Sequence, residues 1–228
     1  VTSAAGCTGT SAGVETTANA NPTPGLTSSD ADNIICAGTN VIFTGSGGTN
    51  YEFFVGGVSV QNGAGTTYAT TTLLNGQSVT VRVTNAAGCL ATSTGITTTV
   101  NPNPIASITS SDGDNIICAG TSVTFTATPA GATTYNFRVN GVSQQSGASN
   151  IYTTTGLTNG QTVDVIVTSA AGCTGTSAGI VMSVNANPTP TLSSSDGDNT
   201  ICSGASVTFT GGGGTNYEFF VDGISVQN

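Results

Sequence analysis

Apolar side chains fall on every second residue through much of this chain. Val123 and Phe125, then Tyr135, Phe137 and Val139, alternate with Thr, Asn and Arg, and Val163, Val165 and Val167 repeat the pattern further on. A period of two puts one set of side chains in a core and the other in water, the mark of half-buried antiparallel strands. The pattern predicts six strands: IASITSS (105–111), TSVTFTAT (121–128), TYNFRVNG (134–141), NIYTTTGL (150–157), QTVDVIVTS (161–169) and AGIVMSV (178–184). In order they take the letters A, B, C, E, F and G, with a turn after Leu157 at Thr-Asn-Gly160.

The same elements recur. DNIICAGTNVIFT (32–44), DNIICAGTSVTFT (114–126) and DNTICSGASVTFT (198–210) are three copies of one segment, each with its cysteine at the same place: Cys36, Cys118 and Cys202. A second series, AAGC, ends at Cys7, Cys89 and Cys173, and its two intervals equal those of the first series. In both series the later interval is the longer by two. Two extra residues in TATPAGATT (126–134), against TGSGGTN (44–50), account for the longer copy. Comparing each residue with the one 166 further on needs no gap, and 46 of 62 pairs are identical, so the larger unit is a pair of repeats. Asn-Pro junctions at 19–24, 101–104 and 185–190 separate them, and proline's fixed φ makes such connections extended and stiff.

The domain reading follows. Residues 1–18 are the F–G end of a preceding repeat, 25–100 a short repeat, 105–184 a long repeat and 191–228 the first half of another. Residue 1 falls inside a repeat, so the true N-terminus is expected elsewhere. About seven short strands in roughly 80 residues, with turns every 8–12, predict an all-β fold of tandem immunoglobulin-like antiparallel sandwiches arranged as a rod.

Composition removes several functions. Only Arg82 and Arg138 oppose eleven carboxylates, for a net charge of −9. Nothing here would displace counterions from nucleic acid or hold the chain to an anionic membrane, and no stretch calls for membrane insertion. His, Lys and Trp are absent. No Ser or Cys therefore has a plausible base, and the carboxylates sit in turns, so no catalytic residue is assigned. The Gly-rich run at 211–214 precedes a strand, which excludes a phosphate loop. Lysine's absence also excludes Lys–Asn isopeptide cross-links.

The blocks ICAG-x-x-V-x-F and V-x-V-x-x-AAGC, as in ICAGTSVTF (117–125) and VDVIVTSAAGC (163–173), resemble the Ig-like or PKD-like tandem repeats of giant Bacteroidetes surface adhesins. The resemblance covers every complete repeat. It implies export by the type IX route, a place on the outer surface of a Gram-negative cell and a role in adhesion or surface structure. One feature departs from it: Phe53, Phe137 and Phe219 stand where such repeats often carry Trp on strand C.

Six regularly spaced cysteines in a Ser/Thr-rich chain predict disulfides and an oxidising compartment, with buried free thiols as the alternative. Zinc is disfavoured, since even the nearest cysteines in sequence, such as Cys7 and Cys36, lie much further apart than the paired ligands of a zinc site. Cys118 lies just before strand B and Cys173 in the F–G turn. Strands B and F run the same way in such a sandwich, which sets these ends roughly 20 Å apart, beyond the reach of a disulfide. Stacked repeats instead favour Cys36–Cys173 between repeats, the other four cysteines pairing outside this stretch. The competing assignment is Cys36–Cys89 and Cys118–Cys173 within repeats, and both stand open here.

Each repeat also carries SSD-x-DN: Asp30, Asp32 and Asn33; Asp112, Asp114 and Asn115; Asp196, Asp198 and Asn199. Such hard oxygen donors suit calcium, the one cofactor under consideration, although the acidic residue closing an EF-hand loop is missing. An Asx-rich turn is the other reading. On the outward face, Phe54 and Phe220 fall on strand C where the second repeat has Arg138; on strand F, Arg82 is set against Phe54 and Ile166 against Arg138. Cross-strand covering within a repeat and lateral contact between arrays are both open. The expected function is a structural or adhesive extracellular filament or stalk. Its expected partners are neighbouring repeats, lateral copies of itself or surface glycans. A repeated carbohydrate-binding module and passive spacers of a secreted enzyme are the alternatives.

Overall fold

A computed structural model of the chain describes residues 1–227, and every regular element among them is a strand. The chain divides into two compact units, Val1–Pro104 with Ser169–Cys173, and Ile105–Thr168 with Thr174–Asn228.

The first unit contains β1 (Gly25–Ser28), β2 (Ile34–Cys36), β3 (Val41–Ser46), β4 (Asn50–Val55), β5 (Val58–Gly63), β6 (Thr67–Thr70), β7 (Ser78–Thr84), β8 (Leu90–Thr92), β9 (Ile96–Thr97) and β10 (Thr99–Asn101). One antiparallel sheet has the order β1-β3-β6 and the other β5-β4-β7-β8, with β9 continuing along β7. A short parallel pair, β2 with β10, sets Cys36 beside Asn101. The alternation does what it implies: along β3, Val41 and Phe43 are buried while Ile42 and Thr44 are exposed. Phe43, Phe53, Val79, Val81 and Val83 lose all solvent exposure, and each such side chain contributes about 1.5–3 kcal/mol.

The second unit repeats this with β11 (Ser107–Ser110), β12 (Ile116–Cys118), β13 (Val123–Thr128), β14 (Thr134–Val139), β15 (Val142–Gly147), β16 (Ile151–Thr154), β17 (Thr162–Thr168), β18 (Thr174–Thr176), β19 (Ile180–Val181) and β20 (Ser183–Asn185). Its sheets are β11-β13-β16 and β15-β14-β17-β18, with β12 parallel to β20. Phe125, Phe137, Val163, Val165, Val167 and Met182 form the core. The two additional residues fall in the turn between β13 and β14. There Tyr135 donates its hydroxyl to the Pro129 carbonyl at 2.7 Å, as Tyr51 does to Gly48 in the shorter turn. Gly45 explains one difference between the cores: a Cβ there would lie 3.0 Å from the Tyr51 ring and 3.2 Å from Val81, whereas the second repeat accommodates Ala127.

β21 (Thr191–Ser194) pairs with β22 (Phe209–Gly212), and β23 (Phe219–Val221) with β24 (Ile224–Gln227). Both complete repeats are two-sheet antiparallel β-sandwiches of the immunoglobulin-like kind the sequence predicts. The predicted strands A, B, C, E and F correspond to β11, β13, β14, β16 and β17. Predicted strand G (178–184) is divided between β19, which pairs with β17, and β20, which pairs with β12. Ahead of it Ser177 separates β18 from β19: its N–H donates to the Val165 carbonyl and its hydroxyl accepts the Val165 N–H, which replaces ladder pairing there. Ser93 does the same for Val81.

Candidate functional site

The AAGC segments fold into one turn three times over. In Ser169–Cys173 the Ser169 N–H donates to the Cys173 carbonyl, Gly172 N–H to the Ser169 carbonyl and Cys173 N–H to the Ser169 hydroxyl. Asn85–Cys89 and Ser3–Cys7 repeat all three bonds, with the Asn85 side chain in place of the hydroxyl. Gly6, Gly88 and Gly172 each have φ near +80°, which glycine alone adopts without strain. The turn thus presents its cysteine in a fixed way.

Cys173 is bonded to Cys36, with S–S 2.03 Å and Cα–Cα 5.5 Å. Its sulfur lies 3.9 Å from the Asn101 carbonyl oxygen, on the residue paired with Cys36. Cys7, Cys89, Cys118 and Cys202 are free thiols. The competing pairs, Cys36–Cys89 and Cys118–Cys173, are not joined, and the strand register gives the reason. The Thr162 end of β17 pairs with Val181, close in sequence to Asn185 and its neighbour Cys118. Cys173 follows the opposite end, where Thr168 pairs with Thr174. Seven residues of β17 separate the two ends, about 20 Å, while a disulfide requires Cα atoms within about 7 Å.

The free thiol of Cys89 has a matching seat. Its sulfur lies 3.7 Å from the carbonyl oxygen of Asn19, and Asn85 donates its amide to Ala20 at 2.9 Å. Asn19 precedes Asn101 by one repeat, as Cys7 precedes Cys89. Cys89 therefore occupies, against Asn19, the position that Cys173 occupies against Asn101.

In the first two acidic turns the carboxylates are engaged by backbone, whereas in the third one buried carboxylate oxygen of Asp196 has no partner. Ile34 N–H donates to Asp30 at 3.1 Å and to Asp32 at 2.9 Å, and Ile116 N–H does the same for Asp112 and Asp114 at 3.1 and 3.0 Å. Asn33, Asn115 and Asn199 adopt positive φ of 56°, 59° and 56°, a conformation Asn tolerates in such turns. In the third copy Asp198 accepts from Thr200 N–H, and Asp196 N–H donates to Ser194. The Ile116 N–H, then neighbouring Asp112, hold the Asp114 carboxyl below its ordinary range. Among the described residues no group of three or more His, Cys, Asp or Glu is placed to hold a metal ion.

On the outward sheet face the Arg82 guanidinium carbon lies 5.3 Å above the Phe54 ring centroid. Arg82 also pairs with Glu52, directly across the ladder. The Ser59 hydroxyl, and then Arg82, lower the Glu52 carboxyl below its ordinary range. In the second repeat Arg138 makes a bidentate pair with Asp164 at 2.7 and 2.8 Å, which raises the guanidinium pKa. Reading the sequence set Arg138 against Ile166. The register puts Asp164 opposite Arg138 and Ile166 opposite Asn136. Opposite charges on outward positions of adjacent strands were the available signal. Phe220 is 58% exposed.

No protein-family model and no characterised protein sequence matches this chain. Solved structures similar to it include the Clostridium thermocellum CbhA fibronectin(III)-like modules, 13% identical over 71% of this chain and 93% of that one, with TM-score 0.41. Murine CEACAM1b is 13% identical over 71% of this chain and 100% of that one, with TM-score 0.34. The full ectodomain (Ig1–Ig3) of mouse nectin-like molecule 4 is 14% identical over 72% and 64%, with TM-score 0.30. Among the described residues no helix is long and apolar enough to cross a membrane.

Proposed function

We propose that this chain is a stretch of a non-enzymatic, structural or adhesive extracellular filament on the surface of a Gram-negative bacterium. Its units in this reading are the repeats 25–100 and 105–184, flanked by the partial repeats 1–18 and 191–228. The observation that carries it is the Cys36–Cys173 bond, which ties one repeat to a turn of the next. Bonding between units gains nothing for a module that works alone, and arrays draw stability from neighbouring repeats. Neighbouring repeats of the same chain are therefore the first partners. In that filament Cys7, Cys89, Cys118 and Cys202, free thiols in this stretch, would make the same bridge to flanking repeats, a reading that the seat of Cys89 against Asn19 supports. The surface of a Bacteroidetes-like cell and type IX export enter through the sequence resemblance. The first two acidic turns act as Asx turns, because their carboxylates already accept backbone N–H groups. Phe54 and Arg82 serve cross-strand covering rather than lateral association.

Antibodies against residues 25–184 test the reading. They are expected to decorate long thin fibres on intact cells, seen by electron microscopy. Label confined to permeabilised cells would end it.

A further inference from the structure

We propose that the Cys36–Cys173 bridge is a tension bypass that takes most of both complete repeats out of the path of a pulling force. The proposal rests on the filament reading for its purpose, whereas the bypass itself follows from connectivity. A chain pulled at its ends carries force along its shortest covalent route. From Val1 that route runs through β1 and β2 to Cys36, crosses to Cys173 and leaves through β18, β19 and β20.

The two cysteines are 137 positions apart, so everything between them forms one closed loop. That loop holds β3–β10 and β11–β17. It includes Phe43, Phe53 and the three buried valines of β7 in one repeat, and Phe125, Tyr135, Phe137 and the three buried valines of β17 in the other. Force lowers an unfolding barrier in proportion to the length gained along its direction on the way to the transition state. Opening a core inside the loop gains none, so tension does not promote it. In the complete repeats only short elements stay on the route: β1 pairs with β3 over four residues, β2 with β10 over three, β18 and β19 with β17 over three and two, and β20 with β12 over three.

The spacing of the other cysteines extends the same rule. The intervals from Cys7 to Cys36, from Cys89 to Cys118 and from Cys173 to Cys202 are equal. Bridges repeated down an array would leave only these short tethers under tension, in two interleaved routes. Intrarepeat bridges would behave differently. Cys36–Cys89 and Cys118–Cys173 would close two small loops and leave the Asn101–Pro104 junction stretched.

Force–extension measurements on the whole chain, held at both ends, test the proposal. A variant with Cys7, Cys89, Cys118 and Cys202 replaced by serine restricts it to one bridge. The oxidised chain is expected to reach about 300–330 Å, the extended length of the segments outside the loop. After reduction it should reach about 750–820 Å, roughly 2.5-fold longer. Adding Cys173→Ser gives the long form without reductant. An oxidised chain that opens to full length overturns the bypass. In the unsubstituted chain, an oxidised length of about 400–440 Å overturns it too, because two intrarepeat loops leave that much chain free. The antibody experiment fails separately: a short oxidised chain with no fibres on cells sinks the filament and keeps the bypass.

Discussion

Residues 41–55 and 207–221 have nearly the same sequence and different fates. Phe43 and Phe53 are fully buried, and Tyr51 is 6% exposed. At the matching positions Phe209 is 55% and Tyr217 40% exposed, and Phe219 is half-buried. β3 and β4 have six residues each, while β22 has four and β23 three. The earlier segment packs against Val79, Val81 and Val83 of β7. Among the described residues the later one has no strand corresponding to β6 or β7. Alternation therefore selects strands and the face each would bury, but burial itself comes from strands distant in sequence. A pair of two-stranded ribbons is at best marginal without them.

The largest expected effect tests this contrast directly. Phe53→Ala or Phe137→Ala should cost about 3–5 kcal/mol in urea denaturation, and Phe219→Ala no more than about 0.5 kcal/mol. Equal losses at Phe53 and Phe219 would break the comparison. Supplying the missing strands should reverse it. A chain extended with a copy of residues 63–101 should slow amide exchange at Phe209 and Phe219 on the order of a hundredfold or more; unchanged exchange would mean that β7-like valines do not close the core.

A subtler contrast lies between the complete repeats. Thr98 is 1% exposed and its hydroxyl has no hydrogen-bond partner, while the equivalent position of the next repeat holds fully buried Met182. Thr98→Val should raise stability by about 1 kcal/mol, since a buried hydroxyl without a partner is costly. A loss in the denaturation midpoint would show that the hydroxyl is satisfied.

Acidification should act on the complete repeats through Glu52 and Asp114, whose folded pKa values are lowered. A lowered carboxyl contributes stability above its unfolded pKa, about 4, and loses it as pH falls through the folded value. Melting temperature should hold steady from pH 7 to about 5 and fall below about 4, and Glu52→Gln should soften that fall. The smallest expected effect is none: EDTA should leave the melting temperature unchanged, and a drop of several degrees would restore calcium to the acidic turns.

Reading the sequence was most effective where one face is buried and strands are long. β13, β14 and β17 follow the alternation residue by residue. β5 and β15 escaped because they are sheet edges: Val58, Val60 and Val142 face solvent, so no period marks them. β2 and β12 have three residues each and pair in parallel, too short for any pattern to declare itself. Spacing made the cysteines conspicuous, yet their seats depend on the Asn19 and Asn101 carbonyls, which are backbone groups that residue identity does not reveal. The Arg138–Asp164 pair needed the C–F register, which composition does not supply.

The closed loop between Cys36 and Cys173 also bears on proteolysis. A single cut anywhere from residue 37 to residue 172, the Asn-Pro junction at 101–104 included, leaves both fragments covalently joined. In the filament proposed above, an array would thus survive a nick without shedding what lies beyond it, and the damage would show only on a reducing gel.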